Sequence, residues 1–400
     1  MTLPGGAPLR FDDETLRDGL QSPSVRAPEL DAKVEFLRLA AEVGVTDVDL
    51  GLPGAGDRAL ADVVALARAL SHDHLPLHTN CAARTADADL DAVSEVIQQL
   101  GAPIEVMLFL ACSPIRCEIQ GWTQAELIER TRRAVGRAVC SGAEVTFVAE
   151  DATRARPEVL DALFLAAVAA GAARVCVADT AGAATPDGAG AVIRAVRTML
   201  DDGGGAAIGI DWHGHDDRGL AVANALAAAA AGADRVHGTA LGIGERAGNA
   251  AMELLLVNSR MLGWARPDCS CLTAYAAHAA GMFGLAVPPG SPVVGRDAFR
   301  TSTGVHASAI LKARSRNETA LADLVYSAVP ASWFGRGQEI DIGPMSGSAN
   351  VRAWLGERGR AVEPDVASRM LAAAKDADRI LTDEELEELA DSPARPGTGE

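Results

Sequence analysis

The sequence is poor in aromatic residues and lacks any regular arrangement of cysteines. Phenylalanine, tyrosine and tryptophan make up 4% of its 400 residues, whereas apolar residues as a group make up 48%. A core of Ala, Val, Leu and Ile is therefore expected, which suits the interleaved layers inside a parallel barrel. The 7 cysteines are scattered and odd in number, and no signal peptide is evident, so we predict reduced thiols in a cytoplasmic protein.

Positive charge and long apolar runs are also scarce. The formal net charge is −18, which opposes a broad surface for nucleic acid or anionic lipid. No apolar run reaches the roughly 18 residues of a membrane-spanning helix without a polar break. We therefore expect small-molecule partners, with neither nucleic acid nor a membrane among them.

The sequence does contain a repeated alternation of short apolar runs with longer segments of helical periodicity. Eight such pairs in about 255 residues predict an α/β fold, a closed (β/α)8 TIM barrel. An open doubly wound sheet is the alternative, but it would normally place a Gly-rich nucleotide turn after the first strand. The predicted strands are 9–12, 45–50, 75–79, 104–110, 144–148, 174–178, 207–211 and 235–239, and the predicted helices are 29–43, 57–70, 87–100, 123–140, 157–170, 186–199, a segment from 220, and 248–262.

The alternation ends near residue 291. We predict a leader at 1–8, a TIM-barrel catalytic domain at 9–290, a small and mainly helical C-terminal region at 291–390, and a disordered tail at 391–400. The C-terminal region has few apolar anchors, so it is expected to need the barrel or a second subunit for stability.

Polar side chains follow several predicted strands, and the carboxyl ends of barrel strands build the active site. His213 and His215 are two residues apart at an extended strand end, so their side chains point the same way and can share a metal. With oxygens from Asp18 and Asn249 they suit a catalytic Mg²⁺, Mn²⁺ or Zn²⁺ ion. The alternative is that both histidines are only hydrogen-bonded residues of the rim.

Two charged residues at the same rim have a functional and a structural interpretation. Arg17 can act as a fixed cation that stabilises a developing oxyanion, or it can form a salt bridge with Glu245 or Asp49. Glu150 directly follows the fifth predicted strand, so it is either a site carboxylate or an acid near the start of a helix.

Several motifs bear a family resemblance. Residues 13–21 resemble the D-x-T-L-R-D-G-x-Q signature of the DRE-TIM metallolyase superfamily. Residues 213–224 resemble the second signature of the 2-isopropylmalate synthase and homocitrate synthase family, and residues 242–250 (GIGERAGNA) match its third motif. Residues 294–299 and 304–307 resemble its post-barrel motif, so the chain is similar to this family from about residue 10 to 385.

The resemblance implies a Claisen-type condensation of acetyl-CoA with a 2-oxo acid, followed by thioester hydrolysis and release of CoA. It implies a divalent metal that chelates the 2-oxo acid, and C-terminal subdomains that contribute to a homodimer and to its active sites. By this resemblance the metal residues are Asp18, His213, His215 and Asn249, the catalytic residues are Arg17, Glu150, His306 and Tyr326, and Gln21 and Thr180 position substrate.

The sequence departs from the family pattern at three positions. Leu20 stands where Glu is common, and in this respect residues 17–21 resemble the HMG-CoA lyase branch. Asp216 replaces the usual Asn after the second histidine, and Leu241 replaces the usual Asn before the Gly-Ile-Gly-Glu-Arg segment. A non-catalytic paralogue is therefore one alternative. An acyl-CoA carbon–carbon lyase of the HMG-CoA lyase type is another, but that lyase carries a cysteine in its Gly-rich loop, and residues 242–250 contain none.

The sequence leaves three candidates for the 2-oxo acid. Residues 107–110 (Met-Leu-Phe-Leu) predict a mostly apolar pocket, which favours 2-oxoisovalerate and hence 2-isopropylmalate as product. A 2-oxoglutarate site needs a cation for the distal carboxylate. Arg84, placed after the third strand as a substrate-binding residue, keeps homocitrate synthase open together with Arg116 and His78, and citramalate synthase, with pyruvate as substrate, is the third possibility.

Overall fold

Eight parallel strands close into a barrel in the computed structural model, which describes residues 8–392. Each strand pairs with its neighbours in sequence, and the last pairs with the first. The predicted TIM barrel is thereby confirmed. Residues 1–7 of the predicted leader and 393–400 of the predicted tail lie outside the described residues. The strands are β1 (Arg10–Asp13), β2 (Asp47–Asp49), β3 (His78–Arg84), β4 (Glu105–Ala111), β5 (Glu144–Glu150), β6 (Arg174–Asp179), β7 (Gly209–Gly214) and β8 (Arg235–Gly238).

Helices follow the strands and cover the outside of the barrel. Several begin at a proline, whose fixed φ and missing N–H suit the first helical turn. In the described part of the chain, none of the helices is both long and apolar enough to cross a membrane. The helices of this unit are α1 (Leu30–Glu42), α2 (Asp57–His72), α3 (Asp87–Leu100), α4 (Pro114–Gln120), α5 (Gln124–Cys140), α6 (Pro157–Ala169), α7 (Pro186–Asp202), α8 (Ala221–Ala231), α9 (Met252–Leu262) and α10 (Leu272–Phe283).

Helix α4 is missing from the sequence prediction. It has only 7 residues, too few to show helical periodicity. Its start is marked by Ser113, whose side chain accepts a hydrogen bond from the backbone N–H of Arg116 at 3.3 Å. The helix directly follows β4 and carries Arg116 into the cavity described below.

Two strands lie later in the sequence than predicted. The prediction for β3 ended at residue 79, but the strand continues to Arg84 and includes the buried Asn80, whose amide donates to both carboxylate oxygens of Asp12. The prediction for β7 ended at residue 211, whereas His213 lies within the strand. In both cases a polar side chain that points into the barrel interrupted the apolar pattern, because its partner on another strand is not visible locally.

The interior of the barrel contradicts the expectation of apolar layers at its amino-terminal end. Arg235 is fully buried and contacts carboxylates from three other strands, those of Asp47, Glu105 and Asp211. Arg174 also pairs with Asp211. Ion pairs therefore stand at this end of the barrel in place of the expected apolar layer.

A second unit begins at Pro288, after the first unit ends at Val287. It contains two small apolar clusters, one around Trp354 and Met370 and one around Ala307 and Ile310. It therefore has more apolar anchors than the sequence indicated. Its elements are β9 (Arg300–Thr301), α11 (Gly304–Ser315), α12 (Thr319–Leu324), β10 (Glu339–Ile340), α13 (Ser348–Glu357), α14 (Pro364–Asp376) and α15 (Asp383–Asp391).

Candidate active site

A cavity opens at the carboxyl ends of the strands, with an empty volume of about 920 Å³ that includes its open mouth. Strands β3 to β6 contribute its apolar lining, whereas the residues from β7, β8, β1 and β2 are mostly ionisable. Of the residues predicted for the site, Arg17, Asp18, Gln21, Glu150, Thr180, His213 and His215 line this cavity; the remaining lining residues are Glu14, Asp49, Ala82, Met107, Phe109, Arg116, Val148, Ala178, His237 and Glu245.

Asp18, His213 and His215 form a group that can hold a metal ion. One ligand atom from each lies within 4.8 Å of the others, and the Nε2 atom of His215 is 3.7 Å from Oδ2 of Asp18. Asn249 lies beside them and donates from Nδ2 to Oδ1 of Asp18 at 2.7 Å. Oδ1 of Asn249 and Nδ1 of His215 are buried without a hydrogen-bond partner. Because buried polar atoms are normally paired, these two atoms indicate that the group fits a cation.

The pKa shifts of these three residues favour the protonation states that bind a cation. Burial, and then the charge of Arg17, lower the pKa of His213 to about 3. Burial, and then His213, lower the pKa of His215 to about 4. Burial opposes ionisation of Asp18, but Arg17 and the two histidines hold the pKa of its carboxyl well below the usual range. At neutral pH the site therefore offers two neutral imidazoles and a carboxylate, which are the forms that bind metals.

Arg17 is surrounded by three carboxylates. Its Nη1 donates to Asp18 at 2.9 Å, its Nε is 3.3 Å from Oδ2 of Asp49, and its Nη2 pairs with Glu14. The side chain is 17% exposed. The salt bridge to Asp49 is thus present, and it fixes the guanidinium at the edge of the cavity, where it can also face a developing anion.

Glu150 and Arg116 form an ion pair in the lining of the same cavity. Glu150 is the last residue of β5 rather than a loop residue. Burial raises the pKa of its carboxyl although Arg116 opposes this shift. A carboxylate of raised pKa beside a cavity is suited to accept a proton.

The Gly-rich segment that follows β8 encloses the metal group. The backbone N–H of Glu245 donates to Oδ1 of Asp18 at 3.1 Å. A Cβ atom at Gly244 would lie 2.6 Å from the same oxygen and would also collide with Asn249. Glycine at this position therefore lets the backbone approach the metal group, as a close backbone contact requires.

Two of the three departures from the family pattern have local explanations. Asp216 accepts a hydrogen bond from the backbone N–H of Ala221 at 2.8 Å, at the start of α8, a role that an Asn side chain also fulfils. Leu241 has a φ of +57°, a left-handed conformation in which Asn is several-fold enriched and a large apolar residue is strained. Both departures lie outside the ligand set.

The structure does not bring Arg84 to the cavity. Its guanidinium is exposed and pairs with both carboxylate oxygens of Asp89, on the following helix. His78 lies at the amino-terminal end of β3 and contacts Asp47 and Glu105. Neither residue is among those that line the cavity, so the structure adds no support to the prediction that they bind a distal carboxylate. His78 lies at the start of β3 because the strand begins later than predicted, whereas Arg84 ends the strand with its side chain held by Asp89.

Gln21 and Thr180 line the cavity near its mouth, where Gln21 is exposed. Thr180 uses its hydroxyl oxygen to accept from the backbone N–H of Asp151 at 2.8 Å. In the second unit, the rings of His306 and Tyr326 are stacked with centroids 3.8 Å apart, and Tyr326 is 49% exposed.

Sequence reasoning missed Glu14 and His237. Both side chains are buried at the floor of the cavity, where His237 Nδ1 lies 2.6 Å from Oε1 of Glu14. Alternation along a strand was the available signal: His237 is two residues after Arg235, and Glu14 two after Asp12, on the same inward face.

The comparisons with known proteins agree with this geometry. The HMGL-like family model matches residues 9–275. Homocitrate synthase AksA of Methanopyrus kandleri is 33% identical over 387 residues, which cover 94% of this chain and 90% of that protein. The 2-isopropylmalate synthase of Pyrococcus abyssi is 32% identical over 387 residues, covering 94% of this chain and 76% of that protein.

Solved structures share the fold at lower identity. The hydroxymethylglutaryl-CoA lyase of Pseudomonas aeruginosa gives a TM-score of 0.59 at 18% identity, covering 74% of this chain and 98% of that one. The HMG-CoA lyase of Brucella melitensis gives 0.57 at 16% identity, covering 69% of this chain and 99% of that one. At these identities the likeness concerns the fold alone.

A closed barrel with an Arg-Asp pair and two histidines at its carboxyl rim defines the class: this is a TIM-barrel enzyme. The chain belongs to the HMGL-like family of the DRE-TIM superfamily, in the group that contains the 2-isopropylmalate synthases and homocitrate synthases.

Proposed function

We propose that this enzyme condenses acetyl-CoA with a 2-oxo acid that has a small apolar side chain, with 2-oxoisovalerate as the best candidate. The proposal rests mainly on one observation, that the cavity lining is divided into an ionisable part and an apolar part. Its ionisable half contains the metal group and Arg17, and its other wall is formed by apolar side chains: Ala82, Met107, Phe109, Val148 and Ala178. The first half suits the 2-oxo carboxylate, and the second suits an aliphatic substituent.

The charges of the cavity also argue against a second carboxylate on the substrate. Arg17 and Arg116 are the cations of the described lining, and both are already paired with carboxylates. Arg84 pairs with Asp89 outside the cavity. A distal carboxylate would have to displace Glu150 from Arg116, so 2-oxoglutarate is disfavoured relative to 2-oxoisovalerate or pyruvate.

The residues of the site can divide the chemistry as follows. Asp18, His213, His215 and Asn249 would hold a divalent ion, Mg²⁺ or Mn²⁺ by preference and Zn²⁺ as a third candidate. Such an ion, when bound, polarises the ketone of the 2-oxo acid. Arg17 stabilises negative charge on the ketone oxygen, while Glu150 accepts a proton from the methyl group of acetyl-CoA. Gln21 and Thr180 would position substrate at the mouth.

We also propose a homodimer in which His306 and Tyr326 serve acid/base chemistry. Their two rings are stacked on each other. The neighbouring residues Val305 and Met345 are 68% and 70% exposed. Such exposed apolar residues are typical of interaction surfaces. If sites are shared between subunits, mixing the inactive variants Asp18→Ala and His306→Ala restores activity, and no recovery would contradict shared sites.

The test of the proposed function is thiol release from acetyl-CoA against a panel of 2-oxo acids, with and without a chelator. We expect turnover with 2-oxoisovalerate, weaker turnover with pyruvate, little with 2-oxoglutarate, and loss of all activity on chelation. Release of acetyl-CoA from 3-hydroxy-3-methylglutaryl-CoA, with no thiol release from any 2-oxo acid, would instead establish the lyase alternative. No turnover in either assay, even with Mg²⁺ or Mn²⁺ added, would favour a non-catalytic paralogue.

A further inference from the structure

The buried carboxylate of Glu14 is the meeting point of three side chains. Its Oε1 atom lies 3.2 Å from Nδ1 of His213 and 2.6 Å from Nδ1 of His237, and its other oxygen pairs with Arg17. Glu14 is 3% exposed and His237 is 2% exposed. A carboxylate only accepts hydrogen bonds, so both histidines must present a protonated Nδ1 to it.

This contact determines which nitrogen of His213 is available to a metal. With Nδ1 protonated and directed at Glu14, the lone pair of the neutral imidazole is on Nε2. Nε2 is thereby left for the group formed with Asp18 and His215. A free imidazole side chain prefers the opposite tautomer, and Glu14 is the acceptor that Nδ1 of His213 contacts.

Glu14 also explains why a second group of possible metal ligands is not a second site. Glu14, His213 and His237 lie close enough together to ligate one ion. However, Glu14 already accepts from both imidazoles and pairs with Arg17, which is a cation in direct contact. A divalent ion there would face the guanidinium and would have to displace both histidine protons.

We propose that Glu14 is a positioning residue: one of its oxygens selects the Nδ1–H tautomer of His213, and the other holds Arg17 in place. The inference rests on the metal group of the proposed function but on no choice of substrate. Outer carboxylates of this kind typically change metal affinity by about 10–100-fold. Glu14 acts through His213 and Arg17, and it has no required contact with substrate.

The tautomer can be read without any metal. In metal-free protein labelled with ¹⁵N-histidine, the long-range ¹H–¹⁵N pattern of the His213 ring is expected to show Nδ1–H in the native chain. Glu14→Ala should convert it to the Nε2–H form. Unchanged Nδ1–H in Glu14→Ala would overturn the proposal, whatever the enzyme's substrate proves to be.

Metal affinity supplies the second readout, measured as free Mn²⁺ by electron paramagnetic resonance. We expect a loss of about 10–100-fold in Glu14→Ala and of several-fold in Glu14→Gln, which keeps one acceptor oxygen but loses the charge. Glu253→Gln is the matched control, because Glu253 is also 3% exposed but contacts the backbone N–H of Leu241 instead of a histidine. Affinity within twofold of the native value in both Glu14 variants would contradict the proposal.

Discussion

The two ends of the barrel contain the same kinds of residue, but the hydrogen bonds of these residues are complete at one end and incomplete at the other. At the amino-terminal end, Arg235 donates to Asp47, Glu105 and Asp211 at 2.5–2.9 Å, and its donors are saturated. At the carboxyl end, Asn249 and His215 each keep a buried polar atom without a partner. A saturated network stabilises a fold, whereas an unsatisfied group is prepared for a ligand.

The histidines show the same difference. His78, at the amino-terminal end, lies 3.1 Å from Glu105 and 3.5 Å from Asp47 and forms with them a group of metal-binding dimensions. These carboxylates raise the pKa of His78 to about 9, which favours the imidazolium over the neutral ring that binds a metal. The pKa of His213 is lowered to about 3. The direction of the pKa shift therefore separates a structural histidine from a candidate ligand.

The largest effect is expected from breaking the saturated network. Arg235→Leu leaves three buried carboxylates without their cation, so we expect a loss of about 3–5 kcal/mol in the free energy of unfolding, measured by urea denaturation. Where that variant does not accumulate as folded protein, Arg235→Lys, which retains the charge, should show a smaller loss. Stability within 1 kcal/mol of the native chain in Arg235→Leu would mean that the network is dispensable.

At the other end, His213→Ala should abolish metal binding while the fold survives. We expect Mn²⁺ affinity to fall by more than about 100-fold, because a direct ligand contributes more than its outer-sphere partners do. His78→Ala is the matched control and should leave Mn²⁺ affinity unchanged. If His213→Ala binds Mn²⁺ as tightly as the native chain, His213 does not belong to the ligand set.

The two ends of β5 provide a comparison within one strand. Glu150→Gln removes the proposed base at the carboxyl end, and we expect kcat to fall by about 10²–10⁴-fold with metal affinity preserved. Glu144→Gln changes an exposed carboxylate at the start of the strand and should leave kcat unchanged. Equal kcat values in the two variants would remove Glu150 from proton transfer.

Substitutions of Leu241 test whether the backbone of the loop beside the metal group is strained. Because a left-handed conformation costs an ordinary residue about 1–2 kcal/mol, Leu241→Asn should raise the free energy of unfolding by about 1 kcal/mol. Leu241→Ala retains the Cβ atom and should bring no gain. A destabilised Leu241→Asn variant would show that packing of the leucine outweighs its backbone conformation.

The smallest effect is the pH dependence of stability that His78 contributes. Its folded-state pKa of about 9 exceeds the ordinary value of 6.5. The stabilisation is therefore complete below pH 6.5 and is lost as the pH rises through about 9. The difference in urea midpoint between the native chain and His78→Gln should shrink over that interval. A difference that grows with pH would contradict the assignment. Because the side chain is 43% exposed, solvent screening keeps the effect small.

The sequence predicts the barrel and several of the residues at its carboxyl end, because the apolar period and the strand-end motifs are local. Asp18, His213 and His215 were accessible in this way. Alternation along β1 and β8 would have placed Glu14 and His237 on the inward face, but their mutual contact and the Arg235 network depend on pairing between strands far apart in the chain. Arg84 lies at the carboxyl end of β3, but its pairing with Asp89, which holds its side chain outside the cavity, was not visible in the sequence.

We propose above all that the enzyme forms a carbon–carbon bond at the carboxyl end of the barrel, with the help of a metal. The most direct measurement uses acetyl-CoA labelled with ¹³C at the methyl carbon, incubated with 2-oxoisovalerate and followed by NMR. The claim predicts that the label appears as a methylene group of 2-isopropylmalate, only while Mg²⁺ or Mn²⁺ is present. Label that remains in acetyl-CoA, or that appears solely in acetate, would contradict it.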